Sequence, residues 1–178
     1  WNSYEKIQNI SKNYFSGKKI TFFTTGVVAR KAPDLLSKIA QDGHEIGCHY
    51  NFHDSIHLSN KKDFSKNLDI AIESIHKATG TAPKGFRAPN FDIEPDDLWA
   101  YEELSKRFDY DSSYITNDSL KNILPNRKFK FGDNILYEFF IFSNPIFGNK
   151  FSLRSGGTFL CLFPTIFTIN TMKKTYEN

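Results

Sequence analysis

The stretch KITFFTTGVVARKAPDLLSKIAQDGHEIGCHYNFH, Lys19–His53, decides how this chain is read. Lys19 to Thr25 is dense in β-branched and aromatic residues and reads as a strand. Pro33 stands at a natural first helical position, Leu35, Leu36 and Ile39 form one apolar face, and Gly43 lies just past the end. His44 to Cys48 is a second short strand, so the stretch spells a strand, a helix and a strand. It ends in His49 and His53. Neutral imidazole is the commonest nitrogen ligand for zinc, and an i, i+4 pair converges on one ion if the segment turns helically. The alternative is a pair of surface or capping histidines in a polar loop.

The same alternation continues outward. Asn2 and Glu5 fit a helix start of the capping-box kind, Ile7, Ile10 and Tyr14 make its stripe, and Gly17 closes it. Downstream, Phe64, Leu68, Ala71, Ile72, Ile75 and Ala78 predict a helix that Gly80 stops. Lys84 to Arg87 reads as a third strand, Glu94 to Lys106 as a third helix, and Tyr110 to Ile115 as a fourth strand. Strands alternating with helices argue for an α/β fold with a mostly parallel sheet. Ile20–Thr24 and Glu45–Cys48 are expected in its protected interior. Beyond Ile115 the rhythm changes: Pro125, Gly132, Pro145, Gly148 and Gly156-Gly157 punctuate aromatic runs such as Lys128–Phe131 and Leu136–Phe142. The expectation is one domain over 1–178, with βα units to 115 and irregular β and loop segments over 116–178. Residues after Asn170 have no apolar period to anchor them.

Composition removes several functions. The net charge of +3 comes from interspersed Lys and Glu/Asp, without a basic patch that nucleic acid or an anionic membrane would need. No segment approaches the ~20 apolar residues of a membrane span. Cys48 and Cys161 belong to no CxxC pair and read as two free thiols.

One tempting motif fails. His44-Glu45…His49 imitates a metalloprotease helix, but its histidines are five apart, which on a helix separates them by about 140°. His57 follows the polar pair Asp54-Ser55 and is expected to face solvent, as is His76 on its helix; His44 is placed to hydrogen-bond a strand end. Two histidines need a third protein ligand and an open water position for catalysis, and a carboxylate would complete the set. Arg87, at a strand end before Ala88-Pro89, is suited either to orient such a carboxylate or to form a structural salt bridge.

Together these residues resemble the NodB-homology polysaccharide deacetylases, carbohydrate esterase family four. The likeness is carried by Ile20–Gly26, the P-D-L-L…G-H-E-I-G-x-H-x-x-x-H run of Pro33–His53, F-R-A-P at Phe86–Pro89 and Y-D-S-S at Tyr110–Ser113. Ser155-Gly156-Gly157, Phe159, Pro164 and Trp1 are similar to the branch found in exopolysaccharide and exosortase gene neighbourhoods. The resemblance implies a distorted (β/α) barrel of fewer than eight strands, with a divalent ion, zinc first and cobalt or another transition metal as alternatives. His49 and His53 match two of its ligands, an Asp being the third. Arg87 matches the arginine that braces the catalytic carboxylate, and the backbone N–H near Asn90 matches an oxyanion donor. The implied chemistry is attack of metal-bound water on an N-acetyl or O-acetyl group, with an Asp as base and a distant His as acid. The implied partner is an N-acetylated poly- or oligosaccharide.

This sequence departs from the pattern at both ends. The family's acidic pair would fall before Trp1, and its late Leu-x-x-His segment has no counterpart, since no histidine follows His76. The chain is therefore expected to be an internal piece of an incomplete barrel, inactive by itself. An amidase acting on a cyclic imide or ureide and a carbohydrate-binding domain that has lost catalysis are the other functions this reading admits.

Overall fold

The computed structural model describes residues 2–57, 59–94, 96–116, 127–146 and 151–154. The readings made for Trp1, Cys161, Ser155–Gly157, Phe159, Pro164 and the residues after Asn170 lie outside these.

Helix α1 (Asn2–Tyr14) leads into β1 (Thr21–Thr24), then α2 (Gly26–Lys31), α3 (Pro33–Gln41), β2 (Glu45–Cys48), α4 (Lys61–Thr79) and β3 (Gly85–Phe86). Helix α5 (Leu98–Ser105) follows, then β4 (Tyr110–Asp111), β5 (Ile115–Thr116), β6 (Arg127–Phe131), β7 (Asn134–Glu138), β8 (Ile141–Ile146) and β9 (Phe151–Arg154). The main sheet runs β1-β2-β3-β4-β7-β6, parallel from β1 to β7 and closed off by the antiparallel β6. A second sheet has the order β5-β8-β9.

Several expectations need correction. The segment Tyr110–Ile115 is not one strand: Ser112–Tyr114 intervene, and the two halves join different sheets. The run Leu136–Phe142, read as irregular β, is indeed interrupted at Phe139-Phe140 between β7 and β8. The helix expected from Glu94 begins only at Leu98, because Asp97 accepts from the Glu94 amide (3.0 Å) and holds a turn there. Helix α2 has no apolar period long enough to be read; Thr25 caps it, accepting from the Val28 amide at 3.3 Å. Strand β1 is half-buried and pairs, among the described residues, with β2 alone, so it is an edge rather than interior.

Helix α4 matches its pattern closely. Asn60 accepts from the Asp63 amide at 2.9 Å, and Gly80 ends the helix at φ 77°, its amide bonded to the His76 carbonyl at 2.8 Å. Its apolar face buries Phe64, Leu68, Ala71 and Ile75 completely against the sheet. Phe64 is the hub, with Tyr50 stacked at 5.4 Å, Trp99 at 5.4 Å and Phe86 at 6.4 Å between ring centroids.

The opposite sheet face has two glycines that make room for rings. A Cβ on Gly47 would lie 2.6 Å from the Phe23 ring, and one on Gly85 2.0 Å from Tyr110 Cζ. Each ring thus lies across the neighbouring strand, where a glycine leaves room for it.

Candidate active site

The C-terminal ends of the parallel strands form one row. The amides of His49, Arg87, Ser112 and Phe139, each the first residue after its strand, donate to the last carbonyls of the adjacent strands: Thr24 (2.8 Å), Cys48 (2.9 Å), Phe86 (2.9 Å) and Asp111 (2.8 Å). His49 and Arg87, remote in sequence, therefore become neighbours on the rim.

His49 is half-buried and donates from Nδ1 to the Arg87 carbonyl oxygen at 2.6 Å. A carbonyl can only accept, so this bond assigns the proton to Nδ1 and leaves the Nε2 lone pair free. Burial pushes the imidazole pKa down; the Arg87 carbonyl opposes this, while the charges of His53 and Arg87 add to it. The neutral ring is the form that binds metals.

His53 is exposed, with its ring centroid 5.1 Å from that of His49 and the planes at 68°. The two rings converge, but not by the helical turn expected from their spacing. Residues 51–53 form bends, and Tyr50 takes φ 66°. That backbone is held from outside: the Gly26 and Val27 amides at the start of α2 donate to the Tyr50 and Asn51 carbonyls at 2.9 and 3.0 Å. Buried Asn51 accepts from Arg30 Nη1 (3.0 Å) and donates to Asn67 Oδ1 (2.9 Å). Gly26 permits the approach, since a Cβ there would lie 2.6 Å from Asn51 Oδ1 and 2.9 Å from the Ala71 backbone. Further along, Asp92 accepts from the Ser55 hydroxyl and from the His57 amide (3.1 Å), tying the histidine loop to the segment after β3.

Arg87 lies over the Phe23 ring, its Cζ 4.3 Å from the centroid. Among the described residues its fork meets Ser112 and no carboxylate. Nε donates to the Ser112 carbonyl (2.9 Å) and Nη2 to the Ser112 hydroxyl (2.8 Å). The Ala88 amide donates to Ser113 Oγ (2.9 Å), whose hydroxyl donates to Asp111 Oδ1 (2.6 Å); the Ser113 amide donates to Oδ2 (2.9 Å). Asp111, fully buried, has its pKa pushed up by burial to about 7, despite these two bonds. The Y-D-S-S motif thus clamps the strand end that carries Arg87.

Asn90 is exposed in a tight turn at Pro89–Phe91 with φ 56°, and Phe91 follows at φ 59°. The Phe91 and Asp92 amides fold back onto the Ala88 and Pro89 carbonyls, both at 3.1 Å. His44 bonds as expected, Nδ1 accepting from the Ile20 amide at 3.2 Å, and His57 and His76 are exposed.

The chemistry of the His49–His53 donor set fits a divalent ion in part. Two imidazoles converge, with one nitrogen of His49 free. Among the described residues, no third histidine, cysteine or carboxylate joins them. Cys48 beneath is buried and free, its thiol pushed up by burial to about 12, so it stays protonated. The scaffold residues least visible in the sequence were Tyr50, Asn51 and Asp92, whose partners are far along the chain.

In sequence and fold the chain is similar to known proteins. A sequence profile for polysaccharide deacetylase matches residues 2–108. The peptidoglycan-N-acetylglucosamine deacetylase of Bacillus cereus is 34% identical over 86 residues, 48% of this chain and 31% of that protein. The structure superposes with a TM-score of 0.65 on a protein assigned as a polysaccharide deacetylase from Mycobacterium smegmatis, at 25% identity over 86% of this chain and 51% of the other. Against a crystallised peptidoglycan N-acetylglucosamine deacetylase the TM-score is 0.51, with 27% identity over 58% of this chain and 47% of that one. The chain therefore spans from 31% to about half of the length of these relatives. Its parallel sheet with packed helices is the (β/α)-barrel type of those deacetylases. With 107 consecutive residues matched, including both rim histidines and Arg87, this chain belongs to the polysaccharide deacetylase family.

Proposed function

We propose that the protein carrying this chain removes N-acetyl groups from sugars of a bacterial envelope polysaccharide or exopolysaccharide, with His49 and His53 supplying two ligands to a divalent ion, zinc first. The observation that carries this reading is the Nδ1–H bond from His49 to the Arg87 carbonyl, which leaves Nε2 unprotonated beside the His53 ring. A bound ion of this kind would lower the pKa of a water molecule and polarise the acetyl carbonyl. The chain's own residues supply positioning. Arg87, with Ser112 engaging two of its N–H groups, keeps others for the carboxylate of a base. The backbone N–H near Asn90 would donate to the negative charge developing on the substrate oxygen.

Cobalt titration of the chain, followed by its visible spectrum, tests the ligand assignment. His49→Ala and His53→Ala should each abolish the d–d bands; unchanged spectra in both would remove the metal site. Acetate release from N-acetylglucosamine oligomers by an active protein that carries this chain should fall in the same two variants. The 178-residue chain holds neither the family's acidic pair nor its late histidine. It should therefore release acetate poorly, each missing acid or base costing roughly 10²–10⁴-fold. Brisk release by the chain alone would contradict this account.

A further inference from the structure

Phe139 occupies the same rim row as His49 and Arg87, yet neither the metal nor the arginine role uses it. Its amide bond to Asp111 continues the row of strand ends onto β7. It shares their sheet face. Its ring meets Tyr110 edge-on at 5.3 Å, and Tyr110 lies across Gly85, two residues before Arg87 on the same side of β3. Neighbouring strands lie about 4.8 Å apart, which sets Phe139 about 10 Å from Arg87 and about 14 Å from His49 along the rim. That span is on the scale of a disaccharide.

The ring is also open to solvent. Phe139 keeps 45% of its surface exposed and Tyr137, one layer below, 44%, whereas Leu136 and Glu138 on the opposite face are completely buried. Lys128 sits over the Tyr137 ring at 5.7 Å, so the lower aromatic is partly capped while Phe139 closes the row. We propose that Phe139 is a sugar-stacking subsite, its ring receiving the apolar C–H face of a pyranose unit next to the one whose acetyl group lies at His49 and Arg87. This deepens the carbohydrate reading above and rests on it. Pyranose rings pair an apolar face with a hydroxyl edge, and the rim offers a ring at one end and polar groups at the other. A second copy of the chain is the poorer occupant. Among the described residues the exposed strip holds Ile135, Tyr137 and Phe139, each 37–45% exposed, far short of the ~800 Å² per partner of a stable interface.

The test uses the metal-free chain and a β-1,4-linked N-acetylglucosamine tetramer, titrated by NMR. Phe139→Leu, which keeps apolar volume but removes the ring face, should weaken binding about tenfold, the upper end for an aromatic contact. Phe139→Tyr should bind within about twofold of the parent, and Tyr14→Ala, an aromatic of similar exposure on α1, should change nothing. Cobalt binding should be the same in all three, whereas His49→Ala should lose cobalt and keep the sugar. Loss of cobalt binding by the parent would sink the metal reading without touching the stacking result. No tetramer binding by the parent, or equal binding by Phe139→Leu, would overturn the subsite. So would a concentration-dependent dimer in sedimentation that Phe139→Leu abolishes while sugar binding persists.

Discussion

At Tyr50 the backbone takes φ 66°, a left-handed conformation that costs a residue with a β-carbon roughly 1–2 kcal/mol. The side chain offsets that cost by burying its ring, stacked 5.4 Å from Phe64. The bend so fixed turns His53 back toward His49. Tyr50→Gly removes the strain but also the anchor, so it should weaken cobalt binding several-fold; binding equal to the parent would show that the loop holds its shape without the ring. Arg87 presents a comparable case. Its planar fork spans the carbonyl and hydroxyl of one residue, Ser112, which a lysine cannot reproduce. If the proposed deacetylase function holds, Arg87→Lys should lower kcat by an order of magnitude or more while the melting temperature moves little. A large loss of stability with near-normal kcat would instead make Arg87 a structural clamp.

Among the elements, α4 bears most directly on the site, because its N-terminal half supports both Tyr50 and Asn51. Its ends are locally encoded by Asn60 and Gly80. Asn60→Ala should cost about 1 kcal/mol in urea unfolding, the usual loss for a side-chain N-cap. Phe64→Ala should cost about 3–5 kcal/mol, since it empties a site with no exposure and three ring neighbours. If the effects of these two changes proved equal, α4 would owe its stability to local propensity rather than to packing. The short strands behave differently. Gly85→Ala would drive a methyl into Tyr110, so β3 tolerates only glycine without displacing the ring that supports Phe139.

Across the whole molecule, two carboxylates are fully buried side by side on β4 and β7, Asp111 in register with Glu138. Tyr101 donates to Glu138 Oε1 at 2.9 Å, while Oε2 finds no hydrogen bond among the described residues and lies 3.8 Å from Arg127. Burial raises both pKa values, Asp111 to about 7. The folded state therefore binds a proton that the unfolded chain has released. This contribution is complete below about pH 4, the ordinary Asp range, and is lost as pH rises through about 7. Glu103 acts in a lower window with the opposite sign. Burial raises its pKa, but Lys106 and Arg107 outweigh that and hold it near about 2, so its stabilisation is lost only as pH falls from the ordinary Glu range toward that value. Buried His44 and half-buried His49, both pushed down chiefly by desolvation, favour folding as pH rises toward their ordinary range near 6.5 and so partly mask Asp111. Comparison with Asp111→Asn isolates it: the stability gap between parent and variant should narrow by a few kcal/mol from pH 4 to pH 8. A constant gap would mean that Asp111 stays ionised throughout.

Much of this was legible along the chain. The stripe of α4, the proline start of α3 and the β-branched strands depend on spacing and propensity within a few residues, which local sequence carries in full. The histidine pair and Arg87 were visible as ligand-type residues at strand ends for the same reason. Their relations were not. That His49 is fixed in one tautomer, that Arg87 grips Ser112, that Tyr50 bends backwards and that Phe139 joins the rim all depend on hydrogen bonds and burial between residues up to 38 positions apart. Such contacts exist only once parallel strands have stacked their ends in register, because it is the sheet, and not the spacing of any motif, that converts distant positions into neighbours.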